Sequence, residues 1–243
     1  MKEKLTRYVR LALRLIFVPK CASCGERMPF DSEAVLCPVC RTRYENAKET
    51  TCVCCASRMA DCLCLPEGMT RHGIKRMAKL VPYEPQKEET TARLIYALKH
   101  RNLLSLQNFL GKELAEPLRP ILSDGEFVVS YPPRGRRGIR HDGFDHAREL
   151  SLGVARALSL PHIDALTRTR HTAQKALSRT ARLKEAAVAY ALAKDVDLTG
   201  KRVILCDDVC TTGATLIAAA RLLRRAGAKE VVCAAVAITP EKH

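Results

Sequence analysis

The stretch Asp207-Asp208-Val209-Cys210-Thr211-Thr212-Gly213-Ala214-Thr215 places two carboxylates, three threonine hydroxyls and a glycine within nine residues. Asp207 and Asp208 would repel a phosphate dianion. They accept hydrogen bonds from vicinal hydroxyls and suit a nearby Mg²⁺ ion. Thr211, Thr212 and Thr215 offer hydroxyl donors, and Gly213 lets the backbone approach closely, so the second half of the stretch suits a terminal phosphate. A ligand that satisfies both halves carries hydroxyls at one end and a phosphate at the other, as ribose 5-phosphate does.

This chemistry needs a strand, a loop and a helix. The apolar run Val203-Ile204-Leu205-Cys206 predicts a short strand of a parallel sheet buried on both faces, followed by a turn that carries the carboxylates. Leu216, Ala219, Ala220 and Leu223 then recur at helical spacing, and Gly227 stands where a C-terminal left-handed residue belongs. In such a unit the loop lies at the carboxyl edge of the sheet, and the first N–H groups of the helix lack internal partners. Those groups suit an anion.

Nine of the twelve cysteines fall between Cys21 and Cys64, mostly in close pairs. Such clustering points to metal rather than to disulfides. Cys21-x-x-Cys24 and Cys37-x-x-Cys40, twelve residues apart, match the two knuckles of a small zinc ribbon, in which four thiolates close a tetrahedral shell. Cys52-x-x-Cys55 with Cys62 and Cys64 offers a second quartet and leaves Cys54 spare; pairing between the two sets is the alternative. A closed thiolate shell is structural, not catalytic. Cys206, Cys210 and Cys233 lie in or beside apolar strands and read as small buried hydrophobes.

The 243 residues, 47% hydrophobic, suffice for one substantial core and a small accessory unit. The net charge of +15 is uneven: residues 134–184 hold twelve Lys or Arg against four acidic residues, and Arg134, Arg136, Arg137 and Arg140 crowd into seven positions. A polyanion or a multiply phosphorylated ligand suits such a tract. Aromatic content is only 5% and Trp is absent, so a nucleic acid would be held chiefly by its phosphates. Residues 1–20 are basic, with Leu5, Val9, Ala12 and Ile16 on one face of an expected amphipathic helix; Arg10 and Arg14 interrupt its apolar stretch, which lacks the cleavage pattern of a signal peptide. No segment has the length of a membrane span. A cytoplasmic protein is expected, with that helix able to touch the inner face of the membrane.

Three regions are expected: the helix over 1–20, a double cysteine module over 21–66, and an α/β domain over 67–243. In the last, strand character centres on 79–83, and 91–98 and 103–114 carry helical spacing, the second ended by Pro117 and Pro120. Residues 127–131 form a strand that runs into Pro132-Pro133-Arg134-Gly135; Ala147, Leu150, Val154 and Ala157 line a helix; a last strand spans 230–238. Alternating strands and helices give a parallel sheet flanked by helices. Residues 166–193, with Arg168, Arg170, His171, Lys175, Arg179, Arg182 and Lys184 but few large apolar side chains, read as an arm able to close over a phosphate ester.

As a string, residues 203–215 resemble the phosphoribosyl pyrophosphate (PRPP) motif of type I phosphoribosyltransferases. The resemblance implies that Asp207 and Asp208 contact the ribose hydroxyls or Mg²⁺. It implies further that Thr211, Thr212, Gly213, Ala214 and Thr215 bind the 5′-phosphate, and it makes Arg134, Arg136, Arg137, Arg140, Arg168 and Arg182 candidates for pyrophosphate or DNA. The order of Cys-x-x-Cys pairs, helical spacer, Pro-rich loop with arginines, Arg-x-Arg, Gln174, Leu-Ser, Arg182 and the Asp-Asp…Thr-Thr-Gly-Ala-Thr motif resembles the ComF family along nearly the whole chain. That resemblance implies a late-competence factor that handles single-stranded DNA during natural transformation. PRPP would be its ligand or cosubstrate, zinc would fill the cysteine module, and DNA-uptake proteins at the membrane would be partners. Where the family has Arg-Gly-Phe-Asn, this chain reads Asp142-Gly143-Phe144-Asp145, and Glu185 stands where Asn commonly follows an arginine; each change puts negative charge where phosphate contact is expected. Two other readings stay open: a nucleobase phosphoribosyltransferase of salvage metabolism, and a PRPP-sensing regulator without catalysis. Against the former, Thr211 stands where 6-oxopurine enzymes place an acidic base. No residue stands out as catalytic.

Overall fold

The computed structural model describes residues 18–66, 68–84, 86, 89–122, 125–169 and 188–239. Its strands are β1 (Ile74–Pro82), β2 (Phe127–Ser130), β3 (Leu166–Arg168), β4 (Tyr190–Leu192), β5 (Arg202–Cys210) and β6 (Glu230–Ile238). Its helices are α1 (Pro38–Lys48), α2 (Glu89–His100), α3 (Leu104–Leu118), α4 (Arg136–Asp142), α5 (His146–Leu158) and α6 (Ala214–Arg225). β1, β6, β5 and β2 pair in that order, all parallel, while β3 and β4 form a separate antiparallel ladder.

Both faces of the parallel sheet are covered, which is why β5 and β6 read as near-continuous apolar runs. On one face Leu80, Ile204, Cys206, Val232 and Ala234 pack against residues of α2, α3 and α5, and Cys21, Cys40 and Tyr44 of the cysteine-rich segment share that core. On the other, Val203, Leu205, Val231, Cys233 and Ala235 meet Leu216, Ala219, Ala220 and Leu223 of α6, with Met59 and Met69. The end of α6 is as its sequence predicts: Gly227 takes φ +95°, its N–H donates to Arg224 O (3.1 Å), and Ala228 N donates to Leu223 O (3.1 Å). α3 and α5 cross by backbone contact, because a Cβ on Gly111 would lie 2.4 Å from the Gly153 carbonyl carbon and one on Gly153 would lie 2.5 Å from Gln107 O.

Four expectations need correction. The carboxylates of Asp207 and Asp208 are not on a turn: β5 runs on to Cys210, because Val209 and Cys210 continue the ladder with Ala237 and Ile238. β1 begins at Ile74, ahead of the expected 79–83 stretch, and its first half carries the exposed Lys75 and Arg76. α3 continues through Pro117 to Leu118 before closing as a 3₁₀ turn over Arg119–Ile121, so Pro117 does not end it. The two ends of the expected arm are tied together as β3 and β4. Its middle, with Arg170, His171, Arg182 and Glu185, lies outside the described residues, as does the expected helix at 1–17.

Candidate functional site

β5 and β2 are parallel neighbours, so the loops leaving their carboxyl ends, 211–213 and 131–135, lie at one edge of the sheet. Gly213 caps α6 at φ +72°, a conformation that suits glycine, and a Cβ there would approach the fully buried Met69 to 2.9 Å from Sδ. Thr211 is exposed and Thr212 and Thr215 half-buried, whereas Gly213 and Ala214 are buried. The hydroxyl-bearing residues therefore keep access to solvent beside the N–H groups that open the helix, the first of which, Ala214 N, donates to Thr212 Oγ1 at 3.4 Å.

The two-residue period of a strand sends the carboxylates to opposite faces. Asp208, buried, points to the face of α2 and α5, where Lys99 Nζ and His146 Nε2 reach its Oδ2 at 3.2 and 3.0 Å. Burial opposes its charge, and His146 and Lys99 overcome that opposition, holding the carboxyl well below the usual carboxylate range. Asp207 turns to the face of α6 and β4. Asp207 is half-buried, and burial and the charge of Asp208 push its carboxyl up, while its Oδ1 accepts from Asp208 N at 2.9 Å. His146 Nδ1 is buried with no hydrogen-bond partner among the described residues. Lys99 and His146 did not emerge from the sequence, since they come from helices far from Asp208 in the chain and carry no shared spacing with it.

The candidate arginines fall into three environments. Arg168 Nη1 donates to Tyr190 Oη at 2.9 Å, and Tyr190 also shares a hydrogen bond with Thr215, which brings β3 and β4 up to the start of α6. Arg134 Nη1 donates to Asp142 Oδ2 at 2.7 Å. Arg136, Arg137 and Arg140 on α4 are exposed. Asp142 and Asp145, expected as negative charges facing phosphate, are instead engaged within the protein. Asp142 Oδ1 lies 3.0 Å from His100 Nδ1 and 2.9 Å from His141 Nδ1, and these two contacts, with Arg134, hold the carboxyl well below its usual range against burial. Asp145 caps α5, accepting from Ala147 N (3.1 Å) and Arg148 N (3.4 Å), and takes the Arg134 N–H at 2.8 Å.

In the cysteine-rich segment Cys21, Cys24, Cys37 and Cys40 converge as one group, and Cys52, Cys55, Cys62 and Cys64 as another, each placed to hold a metal ion. The sulfur separations of 3.7 Å (Cys24 to Cys37) and 3.5 Å (Cys55 to Cys62) are close to the edge of about 3.8 Å that a tetrahedral zinc–thiolate shell requires. The two leading turns are built alike. Cys21 N donates to Glu26 O and Gly25 N to Cys21 O, just as Cys52 N donates to Ser57 O and Ala56 N to Cys52 O. Backbone N–H groups act on the sulfurs: the Ser57 N–H brings the Cys55 thiol down to about 6, and for Cys21 burial raises the thiol but amides of Cys37, Cys24 and Ser23 outweigh it, to about 7. Lys79 of β1, buried, directs Nζ at Cys62 Sγ (3.0 Å), Cys62 O (3.3 Å) and Cys64 O (2.7 Å).

Residues 147–243 match the phosphoribosyl transferase domain model. Competence protein F of Haemophilus influenzae is 36% identical over 151 residues, covering 59% of this chain and 66% of that protein. Competence protein ComFC of Streptococcus pneumoniae is 25% identical over 229 residues, 87% of this chain and 96% of that one. The chain is ComF-like. An adenine phosphoribosyltransferase of Mycobacterium avium is 54% identical over 44 residues, but the ComF-like chain spans only 24% of that enzyme's length. The match covers 18% of this chain. Domain match and sheet together give a type I phosphoribosyltransferase fold, a parallel sheet flanked by helices, preceded by cysteine clusters able to hold metal.

Proposed function

We propose that this ComF-like chain binds PRPP with Mg²⁺ through Asp207, Asp208 and residues 211–215, and that it handles single-stranded DNA during uptake. The observation that carries the reading is the carboxylate pair at the carboxyl end of β5, followed at once by a glycine-capped helix start inside a matched phosphoribosyl transferase domain. The 5′-phosphate would take the N–H groups of Gly213, Ala214 and Thr215 with the threonine hydroxyls, and the carboxylates would meet the ribose hydroxyls. Hard oxygen donors at Asp207 and Asp208 suit Mg²⁺, whose charge would offset that of the diphosphate. Lys99 stands against Asp208 and so borders the same ligand.

The two thiol quartets fit zinc, and with four sulfurs each they leave no open position, which makes their role structural. Among the described residues no helix is long and apolar enough to cross a membrane. DNA would lie along the exposed arginines of α4. Any encounter with uptake proteins at the membrane rests on the competence relatives alone.

The test is calorimetric titration with PRPP and Mg²⁺ of wild type and of the Asp207→Asn, Asp208→Asn double variant. Affinity should fall by about a hundredfold, equivalent to roughly two lost charge-assisted hydrogen bonds, with zinc content unchanged. Equal affinity in a folded, zinc-loaded variant would falsify the ligand assignment. Released pyrophosphate, assayed with and without single-stranded DNA, separates a transferase from a PRPP sensor.

A further inference from the structure

His100 closes α2, and His141 and Asp142 close α4, so two helices far apart in sequence bring two imidazoles and one carboxylate to the same point. Their ligand atoms all lie within 4.8 Å of one another. Both Nδ1 atoms are turned on a single oxygen, Asp142 Oδ1, at 3.0 Å from His100 and 2.9 Å from His141. Ligands about 2.0–2.1 Å from a tetrahedral ion stand roughly 3.3 Å apart, so entry of an ion asks each Nδ1 to part from Asp142 Oδ1 by only a few tenths of an ångström.

The surroundings are those of a supported ligand set. Asp142 is held from behind, its Oδ2 taking Arg134 Nη1 at 2.7 Å with the side chain 4% exposed, and an outer partner of this kind fixes a ligating carboxylate. The His100 ring is steadied by Tyr96, 4.6 Å away between centroids. The imidazoles lie on the open side, His100 37% and His141 78% exposed, which leaves coordination positions for water or a ligand oxygen.

We propose that His100, His141 and Asp142 form a metal site of their own, apart from the two thiolate quartets, for an exchangeable divalent ion of the zinc and cobalt class. Two nitrogens and one oxygen select such ions over Mg²⁺, and three protein ligands leave the shell unfinished, unlike the thiolate quartets. On binding, each neutral imidazole moves its hydrogen from Nδ1 to Nε2 and offers the Nδ1 lone pair, so no net proton is released. The site does not depend on the PRPP reading.

The experiment uses tag-free, full-length protein with its thiolate quartets already loaded with zinc. Co²⁺ is added in equilibrium dialysis, and the histidine side chains are followed by NMR. The expected result is one further equivalent bound, with hyperfine shifts at His100 and His141. His141→Asn, at a position exposed enough to leave folding untouched, should weaken binding by at least roughly tenfold, and the His100→Asn, His141→Asn pair should abolish it. No Co²⁺ beyond the thiolate sites, unmoved His100 and His141 signals, or binding that survives in the double variant would each overturn the proposal.

Discussion

Ala56 holds φ +57° at the position where Gly25 holds +77° in the matching turn of the first quartet. A Cβ in the left-handed region costs roughly 1–2 kcal/mol, so the second knuckle carries a strain that the first avoids. Ala56→Gly should therefore stabilise the second quartet by about 1 kcal/mol, read as slower zinc loss to a chromophoric chelator; an unchanged rate would mean the turn relaxes at no cost. Lys79 acts on the same quartet by charge. Four thiolates around Zn²⁺ leave two net negative charges, and a buried ammonium 3.0 Å from Cys62 Sγ offsets part of that excess. Lys79→Met keeps the side chain's bulk and removes the charge. It should weaken zinc at Cys52, Cys55, Cys62 and Cys64 by about 10–100-fold and leave Cys21, Cys24, Cys37 and Cys40 untouched, a contrast that metal analysis after graded chelation resolves.

At the level of helices and strands, the α3–α5 crossing is set by Gly111 and Gly153, whose neighbours at the contact are backbone atoms that cannot rotate away. Alanine at either position must push the helices apart. We expect a loss of about 1–3 kcal/mol by urea unfolding, with His146 displaced from Asp208 because α5 carries it; a neutral Gly153→Ala would show that the helices slide freely. The strand, loop and helix around Asp207 were legible in advance because each leaves a local mark: a β-branched apolar run, a glycine where φ must be positive, and an apolar stripe of period 3.6. The thiol quartets were legible for the same reason, their turns being short. Lys99, His146 and the cluster of His100, His141 and Asp142 were not, because their meeting depends on how α2, α4 and α5 pack. The length of β1 was hidden by Lys75 and Arg76, whose exposed charges break any apolar run ahead of residue 79. Asp142 and Asp145 read as obstacles to phosphate until their partners, a guanidinium with two imidazoles and a set of backbone amides, came into view.

Across the whole molecule the net charge is +15, and the exposed Arg136, Arg137 and Arg140 stand beside the loop that follows β2. Each phosphate contact to single-stranded DNA contributes about 0.7 to the slope of log affinity against log salt. Replacing the three arginines by alanine should lower that slope by roughly 2, measured by anisotropy of a labelled oligothymidine; an unaltered slope would place DNA elsewhere on the surface. The strand order has a different consequence, one that concerns synthesis. β6 sits between β1 and β5, yet roughly 150 residues separate it from β1 in the chain. At about 5–20 residues per second, a ribosome takes roughly 8–30 s to travel from one to the other. Through that interval the cysteine turns can close on metal while β1 waits with an unpaired apolar edge. A message broken before Glu230 therefore yields not a smaller working domain but a half-sheet prone to stick to its neighbours.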